Sequence, residues 1–339
     1  MSSIGLIWTA AVRGLAARIT GARNRVAARR AALGARPGEI AHQPEPRAVG
    51  ATTRARELEA GLFRFAGTEV EAPKRLIWDV RAPSAAFTEE IHRCGWLDDL
   101  AAAGDASARR LAQAWVLSWI GRFGRGRAPA WAPGIAGWRT MRWVVHAPLL
   151  LKDQDSRAHA EILRSLDRHA RYLARRWHAA PAGLPRFAAL AGLLHAALAL
   201  SGARRFGPAA RAGLARECAR AVDETGGIPT RNPEELLELF TLLVWMSKAL
   251  TEAGEPAEPA LEEAIDRIAP TLRSLRLGDG SLARFHGGGP GPEGQLDQVL
   301  AESGRRGTRT EEAAMGFLRL HAGRTTMILD AAPPPTGAA

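Results

Sequence analysis

Between about residues 88 and 275, apolar side chains recur at intervals of three and four residues, which is the period of amphipathic α-helices. The pattern predicts seven successive helices: one opening at 105, four spanning about 134–151, 155–177, 184–200 and 206–222, and two opening at 232 and about 258. Alternate helices start about fifty residues apart, and their short connections make consecutive helices antiparallel neighbours. We therefore predict a mainly α fold built as an array of helical hairpins.

The segment before this array has a different pattern. Residues 1–36 alternate apolar and basic positions at helical spacing. Residues 37–87 are interrupted by prolines and contain two short apolar runs, at 62–65 and 76–80, which predict a strand or two and connecting loops. The sequence therefore predicts a basic amphipathic arm (1–36) and an irregular lead-in (37–87) ahead of a helical domain (88–276).

The pattern changes again after residue 275. A turn precedes a predicted strand at 281–285, and a short helix is predicted at 295–303. Residues 315–320 and 325–329, joined across Ala322 and Gly323, predict a β-hairpin. A lone hairpin is only marginally stable, so we expect residues 277–339 to be the first strands of a truncated β domain.

The formal charge of +11 does not predict a nucleic-acid partner, because of where the charge lies. Seven arginines and no acidic residue precede Glu39, so the rest of the chain carries only +4. Lysine occurs only at Lys74, Lys152 and Lys248, so 43 of the 46 basic residues are arginine. That bias, in a chain rich in Ala, Gly and Pro, is typical of a GC-rich genome rather than of selection for phosphate contacts.

The basic arm has two interpretations. Its apolar opening is too short to span a bilayer, and it lacks the features of a clear signal peptide. A basic amphipathic helix can lie on an anionic membrane surface, so the sequence leaves open a peripheral membrane contact through residues 1–36. The alternative is a helix packed on the main domain, or a partly disordered tail.

Motifs for metals, cofactors and nucleophiles are missing. Cys94 and Cys218 are the only cysteines, which excludes a disulfide scaffold and a cysteine-based zinc site. The glycine-rich run 287–294 is interrupted by prolines and lacks the surroundings of a dinucleotide fingerprint. The sequence has no nucleophile elbow, HExxH motif or P-loop, so it predicts no metal and no cofactor.

Ten tryptophans and a single tyrosine, Tyr172, are an unusual aromatic composition. Tryptophans at helical spacing usually fill space between helices, although an exposed indole can also stack on a sugar ring. Trp131 and Trp138 lie in or near a Gly/Pro-rich loop, and Trp138 is therefore the candidate for sugar stacking. His195, inside an apolar helix, is more typical of a core histidine than of a catalyst.

The run 226–235 contains the most distinctive local signal. Asn232 is a good N-cap, Pro233 suits the first helical position, and Glu235 has the spacing of a capping box. Capping does not require Arg231, whose guanidinium, if exposed, could hold a carboxylate bidentately. A second candidate group consists of Arg284 and His286, which alternate after Asp279 beside the glycine loop.

Several stretches, in this order and at this spacing, resemble the heparinase II/III-like family of bacterial polysaccharide lyases. They are 95–100, 115–119, 226–239, 277–289, 294–297 and 316–335. The resemblance implies an α/α toroid of helical hairpins followed by an antiparallel β-sandwich. It also implies β-elimination next to a uronic acid, in which one group neutralises the carboxylate, a base removes the C5 proton and an acid protonates the leaving oxygen.

The residues that such lyases use are an Asn or His at one helix start, a Tyr at a later one and a His from the β-sandwich. Here the first start, 183–187, offers only Arg186, the second, 231–235, has no tyrosine, and the sandwich histidine would lie beyond residue 339. The catalytic candidates are therefore limited to Arg231, Asn232 and Glu235, with Glu234 beside them. The candidates for substrate binding are Arg186, Arg231, Asn232, Trp138, Arg284 and His286.

Two functions follow from this resemblance. The full-length product is predicted to be a lyase acting on a uronic-acid-containing polysaccharide, with this chain incomplete for catalysis. The alternative is a non-catalytic module that binds an acidic glycan or assembles envelope polysaccharide. The partner in both cases is an acidic polysaccharide. The implied location is the cell envelope or periplasm, and the absence of a clear signal peptide keeps a cytoplasmic location open.

Overall fold

The structure, a computed structural model, describes residues 3–307, 313–323 and 325–333. The described residues form two compact units. The first comprises residues 1–181 with 188–207, and the second comprises 182–187 with 208–339, each within the described ranges. The predicted boundary between helical and β regions, near residue 277, falls inside the second unit.

The first unit is mostly helical. Its helices are α1 (Ser3–Leu33), α2 (Thr52–Ala60), α3 (Ala85–Arg93), α4 (Trp96–Ala103), α5 (Ala106–Phe123), α6 (Pro133–Val145), α7 (Ala147–Leu151), α8 (Ser156–Arg176) and α9 (Leu184–Ala199). The first four residues of α9 belong to the second unit. Two antiparallel strands, β1 (Leu62–Phe65) and β2 (Thr68–Glu71), pair with each other.

The second unit combines helices with a small sheet. Its helices are α10 (Gly207–Ala221), whose first residue belongs to the first unit, α11 (Pro233–Glu252), α12 (Pro259–Ser274) and α13 (Gln295–Ser303). Strands β3 (Ala313–Ala314), β4 (Phe317–Ala322) and β5 (Thr325–Asp330) form an antiparallel sheet in the order β3-β4-β5. The predicted fold class, a helical-hairpin array followed by antiparallel strands, is confirmed.

Local signals fixed the helix starts correctly. The predicted starts near 105, 155, 206 and 258 are each followed one residue later by the first residue of α5, α8, α10 and α12. Asp105 and Asp155 act as N-caps by accepting hydrogen bonds from the amides of Ala108 and Ala158, at 2.9 and 2.7 Å. A capping carboxylate satisfies an amide that has no partner within the helix, which is why the start can be read from a few residues.

Two expectations were wrong. The predicted helix 134–151 is divided between α6 and α7 at His146, since Pro148 lacks an amide and its ring crowds the carbonyl four residues earlier. The strand or two expected in residues 37–87 are β1 and β2, and the second apolar run, 76–80, contains a 3₁₀ turn (Ile77–Asp79). Residues 281–285 form only an isolated bridge, Arg276 with Leu282, because Leu282 and Ala283 are buried beside the end of α12 without a partner strand.

The β-hairpin and the short helix before it are confirmed. Phe317 pairs with Asp330 and is buried, whereas Leu318, Leu320, Met327 and Leu329 form an exposed apolar face on the opposite side. Residues 308–312, 324 and 334–339 of the predicted β region lie outside the described residues.

Helices α6 and α9 touch through glycine in the first unit. An added Cβ on Gly137 would overlap the backbone of Ala188 and Ala189, and one on Gly192 would overlap the backbone of Gly137. The two backbones are therefore in direct contact, which only residues without a side chain permit.

The arm helix α1 packs on the first unit through its second half. Asn24, Ala28 and Ala31 are buried, and Asn24 accepts a hydrogen bond from Arg176 of α8 at 2.9 Å. This half confirms the interpretation of a helix packed on the main domain. Residues 1 and 2 of the predicted arm lie outside the described residues.

Candidate functional site

The start of α11 brings several of the sequence candidates together in the second unit. Asn232 caps the helix as predicted, since its Oδ1 accepts hydrogen bonds from the amides of Glu234 and Glu235 at 2.9 and 3.2 Å. The Glu234 carboxylate accepts a hydrogen bond from the Gly289 amide at 2.5 Å. The cap therefore also ties the glycine-rich loop to the helix start.

Arg231 immediately precedes this cap and is buried, with only 9% of its surface exposed. Its five N–H groups all have acceptors: the carbonyls of Met315 (3.1 Å), Gly316 (3.2 Å), Ala332 (3.2 Å) and Pro333 (2.7 Å), and the carboxylate of Asp330. The guanidinium also lies over the Phe317 ring, 4.9 Å from its centroid. No guanidinium proton is left for a substrate carboxylate.

The expectation of an exposed Arg231 was therefore wrong. The sequence around residue 231 gave no sign that residues 315–333, almost a hundred positions later, fold back onto the start of α11. A planar guanidinium with five donors suits such a set of carbonyls, which lysine could not satisfy in the same way.

His286 lies in the same cluster. Its Nε2 is 3.1 Å from Asp330 Oδ2, and its carbonyl accepts a hydrogen bond from Asn232 Nδ2 at 3.4 Å. Desolvation would raise the pKa of Asp330, but the hydrogen bond and positive charge of Arg231 outweigh it and lower that pKa. The structure thus joins Arg231, Asn232, His286 and Asp330, and the sequence analysis missed only Asp330.

The other charged candidates have different surroundings. Arg186 donates a hydrogen bond to Glu217 at 3.0 Å, and both side chains are mostly buried. Arg284 is exposed. The pKa of Asp279 is lowered mainly by hydrogen bonds from Ser281, and the charge of Arg284 adds to this effect. Arg186 is therefore committed to an ion pair, and Arg284 faces solvent.

The tryptophans that were considered for sugar stacking are buried in the first unit. Trp131 and Trp138 are 2% and 7% exposed, which is the environment of core side chains. The Arg142 guanidinium lies 4.9 Å from the centroid of the Trp138 ring. The loop position of these tryptophans suggested exposure, but α5, α6 and α8 meet around the loop, and Trp131 Nε1 donates to the Phe123 carbonyl at 2.7 Å.

An arginine in an aromatic cage lies at the centre of this core. Arg139 is fully buried and donates to His169 Nε2 (3.1 Å) and to the carbonyls of His92 (3.2 Å) and Ala130 (2.8 Å). Its guanidinium is 4.0 Å from the Trp119 ring centroid, a cation–π contact that replaces a carboxylate partner.

The same burial keeps the neighbouring groups uncharged. Burial, followed by the charge of Arg139, lowers the pKa of His92 to about 3 and that of His169 well below its usual value. Burial lowers the pKa of Arg139 to about 10. The sequence analysis missed this cage, although an arginine in the apolar stretch of α6, four residues before Trp143, was a usable signal.

Tyr172, the single tyrosine, belongs to this core. Its hydroxyl donates to the Trp131 carbonyl, and burial raises its pKa. Within the described ranges no three His, Cys, Asp or Glu side chains come together in a way that could hold a metal ion. Asn232 and Glu234 are the candidates that contact the loop 286–289, through the His286 carbonyl and the Gly289 amide.

Comparison with solved structures defines the class of fold. A mutant of heparan sulfate lyase HepC from Pedobacter heparinus matches 100% of this chain and 60% of its own length, with a TM-score of 0.55 and 16% identity. A heparinase III structure matches 78% of this chain and 47% of its own length, with a TM-score of 0.55 and 14% identity. The chain has a heparinase-like fold, as the sequence resemblance predicted.

A curated relative gives a more particular likeness. The FtsZ-localized protein C of Caulobacter vibrioides is 33% identical over 262 residues, which are 77% of this chain and 45% of that protein. No protein-family profile matches the chain. The chain thus spans about half the length of the proteins it resembles.

Proposed function

We propose that this chain is a non-catalytic module with a heparinase-like fold, which lies on an anionic membrane surface through α1 and associates with FtsZ. The membrane contact is supported by the exposed side of α1. Trp8, Leu15, Ile19, Val26 and Leu33 are all exposed and fall on one stripe, because they repeat at intervals of seven or four residues.

Charge supports the choice of an anionic surface. Arginines 18, 23, 25, 29 and 30 are exposed along the same helix, and no acidic residue precedes Glu39. An apolar stripe edged by arginines can bury its side chains at the level of the lipid headgroups while the guanidinium groups contact phosphate. No helix among the described residues combines the length and hydrophobicity that crossing a membrane requires.

The association with FtsZ is supported by the Caulobacter relative, whose name records its localisation with FtsZ. The likeness covers 77% of this chain, which is more than either compact unit alone can supply. A helix on the membrane and folded units that bind FtsZ would together hold FtsZ at the membrane surface.

Vesicle pelleting tests both parts at once. We expect the chain to pellet with vesicles of mixed zwitterionic and anionic lipid, and purified FtsZ to pellet with them only when the chain is present. Ile19→Asp should weaken vesicle binding about tenfold or more, because it removes an aliphatic side chain that would be buried in the lipid and places a carboxylate against the bilayer.

Ala17→Asp is the matched control. It changes the charge equally but lies about 160° around the helix from Ile19, so it should bind vesicles nearly as well as the unmodified chain. Equal binding by both variants and the unmodified chain would contradict the membrane role of this stripe. Vesicle binding without recruitment of FtsZ would refute the FtsZ association and leave the membrane role standing.

A second candidate function is binding of an acidic polysaccharide without cleavage, in the cell envelope. It is supported by the fold, which the chain shares with heparan sulfate lyases, and by the commitment of Arg186, Arg231 and Tyr172 to structural contacts. Lyase activity, which the sequence resemblance implies, would need a carboxylate-neutralising group and a base that these contacts do not leave free.

Incubation with heparan sulfate separates binding from cleavage. We expect the polysaccharide to be retained on immobilised protein without growth of the near-ultraviolet absorbance of an unsaturated uronate. Growth of that absorbance, and its loss in Asn232→Ala, would identify the chain as a lyase and overturn the non-catalytic assignment. A catalytically active heparinase III in the same buffer is the positive control.

A further inference from the structure

A pocket in the first unit has no role in the functions proposed above. Its volume is about 520 Å³, and it lies where the end of α1 and residues 34–38 meet α8 and the turn after α9. We call it the Asp167 pocket. Its walls include Asp167, the arginines Arg36, Arg171 and Arg205, and the leucines Leu163 and Leu200.

Asp167 is the polar centre of the pocket. The residue is 6% exposed, and its Oδ2 accepts hydrogen bonds from the Arg36 amide (3.0 Å) and from Arg171 Nε (2.8 Å). Its other oxygen, Oδ1, is buried and has no hydrogen-bond partner in the described part of the chain. An added Cβ on Gly202, which also lines the pocket, would lie 3.8 Å from that oxygen.

A buried carboxylate oxygen without a donor is costly, so a ligand that supplies a hydroxyl here would gain a charge-assisted hydrogen bond. Arg171 already balances the charge of Asp167 through their ion pair at 2.8 Å. Arg36 and Arg205 therefore give the pocket a net positive charge. The Arg205 side chain is fixed in part by its hydrogen bond to the Gly202 carbonyl at 2.7 Å.

We propose that the Asp167 pocket binds a small hydroxylated carboxylate of the sugar-acid class. The hydroxyl would donate to Asp167 Oδ1, the carboxylate would contact Arg36 and Arg205, and the C–H face of the ring would lie against Leu163 and Leu200. The volume is in the range of sites for small molecules, about 300–1,000 Å³. An anion without a hydroxyl can contact the two arginines but is repelled by Asp167. The ligand therefore needs both a hydroxyl and a carboxylate.

Free sugar acid and the uronate end of an acidic glycan share this chemistry. The pocket lies within the first unit, includes no residue of the cluster around Arg231, and does not require catalysis. Leu33 is both the last residue of the exposed stripe of α1 and part of the pocket wall, so the pocket adjoins the proposed membrane contact.

Ligand-observed NMR with D-glucuronate, D-glucose and inorganic phosphate tests the proposal on the whole chain. We expect glucuronate to bind more tightly than either of the others. The double variant Arg36→Gln/Arg205→Gln should weaken glucuronate binding about tenfold or more, the effect of losing a charge-assisted contact. Arg220→Gln, an exposed arginine of α10 outside the pocket, should change nothing.

Asp167→Asn separates the hydroxyl contact from simple anion binding. Asparagine keeps one oxygen for the Arg36 amide and Arg171 and replaces the unpartnered oxygen with an amide donor. Glucuronate binding should weaken while phosphate binding stays the same or improves, with an unchanged circular dichroism spectrum as the check on folding. Equal glucuronate binding by the unmodified chain and the double variant, or phosphate binding as tight as that of glucuronate, would overturn the proposal.

Heparan sulfate fragments ending in a uronate distinguish the two sources. Competition between fragment and glucuronate, lost in the double variant, would assign the glycan end to the pocket. Competition by glucuronate alone would assign the free sugar acid. Glycan retention that the double variant leaves intact would place polysaccharide binding elsewhere, without affecting a glucuronate result.

Discussion

Replacing Arg231 with alanine should lower the free energy of unfolding by about 3–5 kcal/mol, the cost of removing one partner from a buried charged network. The substitution would leave four carbonyls and the Asp330 carboxylate without their donor beneath the hairpin β4–β5. Chemical denaturation would measure the change. Hydrogen exchange should locate it, with residues 313–323 and 325–333 losing protection first.

Arg284→Ala is the matched control, because it removes an exposed arginine close in sequence to the same cluster. It should change the stability by no more than about 0.5 kcal/mol. Arg231→Lys should recover only part of the loss, since a lysine has three donors in place of five. An Arg231→Ala protein as stable as the unmodified chain, but altered in polysaccharide binding, would contradict the structural role and return Arg231 to the substrate site.

Replacing Gly137 with alanine should destabilise the first unit by about 3 kcal/mol or more, because the new methyl group would overlap the backbone of α9. A backbone cannot move aside as a flexible side chain can, so the two helices would have to separate. The midpoint and slope of denaturant unfolding, followed by tryptophan fluorescence, would report the change, since Trp131 and Trp143 lie in the same core.

Gly121→Ala is the control for this prediction. Gly121 lies within α5, and nothing approaches the position of an added Cβ within 4 Å. The change should therefore stabilise the protein by about 0.5–1 kcal/mol, since alanine is the better helix former. Equal effects of the two substitutions would show that α6 and α9 do not touch at Gly137.

The arginines of this chain fall into two groups, a buried group that stabilises the fold and an exposed group that is available to partners. Arg139 and Arg231 are buried and bound to carbonyls, aromatic rings or carboxylates, whereas arginines 18, 23, 25, 29 and 30 of α1 are exposed. Arginine in this chain thus has two uses, and position in the fold determines which applies. The net charge by itself could not make this distinction.

The sequence by itself determined the order of elements and most helix starts. Asp105, Asp155 and Asn232 cap the helices that follow them, and the information needed for a cap lies within three or four residues. The hairpin was equally local, since alternating side chains and a glycine turn specify it. The resemblance to heparinases added the fold class, because the order of several separate stretches was retained.

Only the tertiary structure decided which polar groups were available. Arg231 meets residues 315–333, Arg139 meets His169, and Asp167 meets the amide of Arg36, in each case across at least 30 positions of sequence. Burial of Trp131 and Trp138 depends in the same way on helices that are distant in sequence. Side-chain exposure is the outcome of packing between such segments, so local pattern predicts where a helix begins but not which of its charged groups remains free to bind a partner.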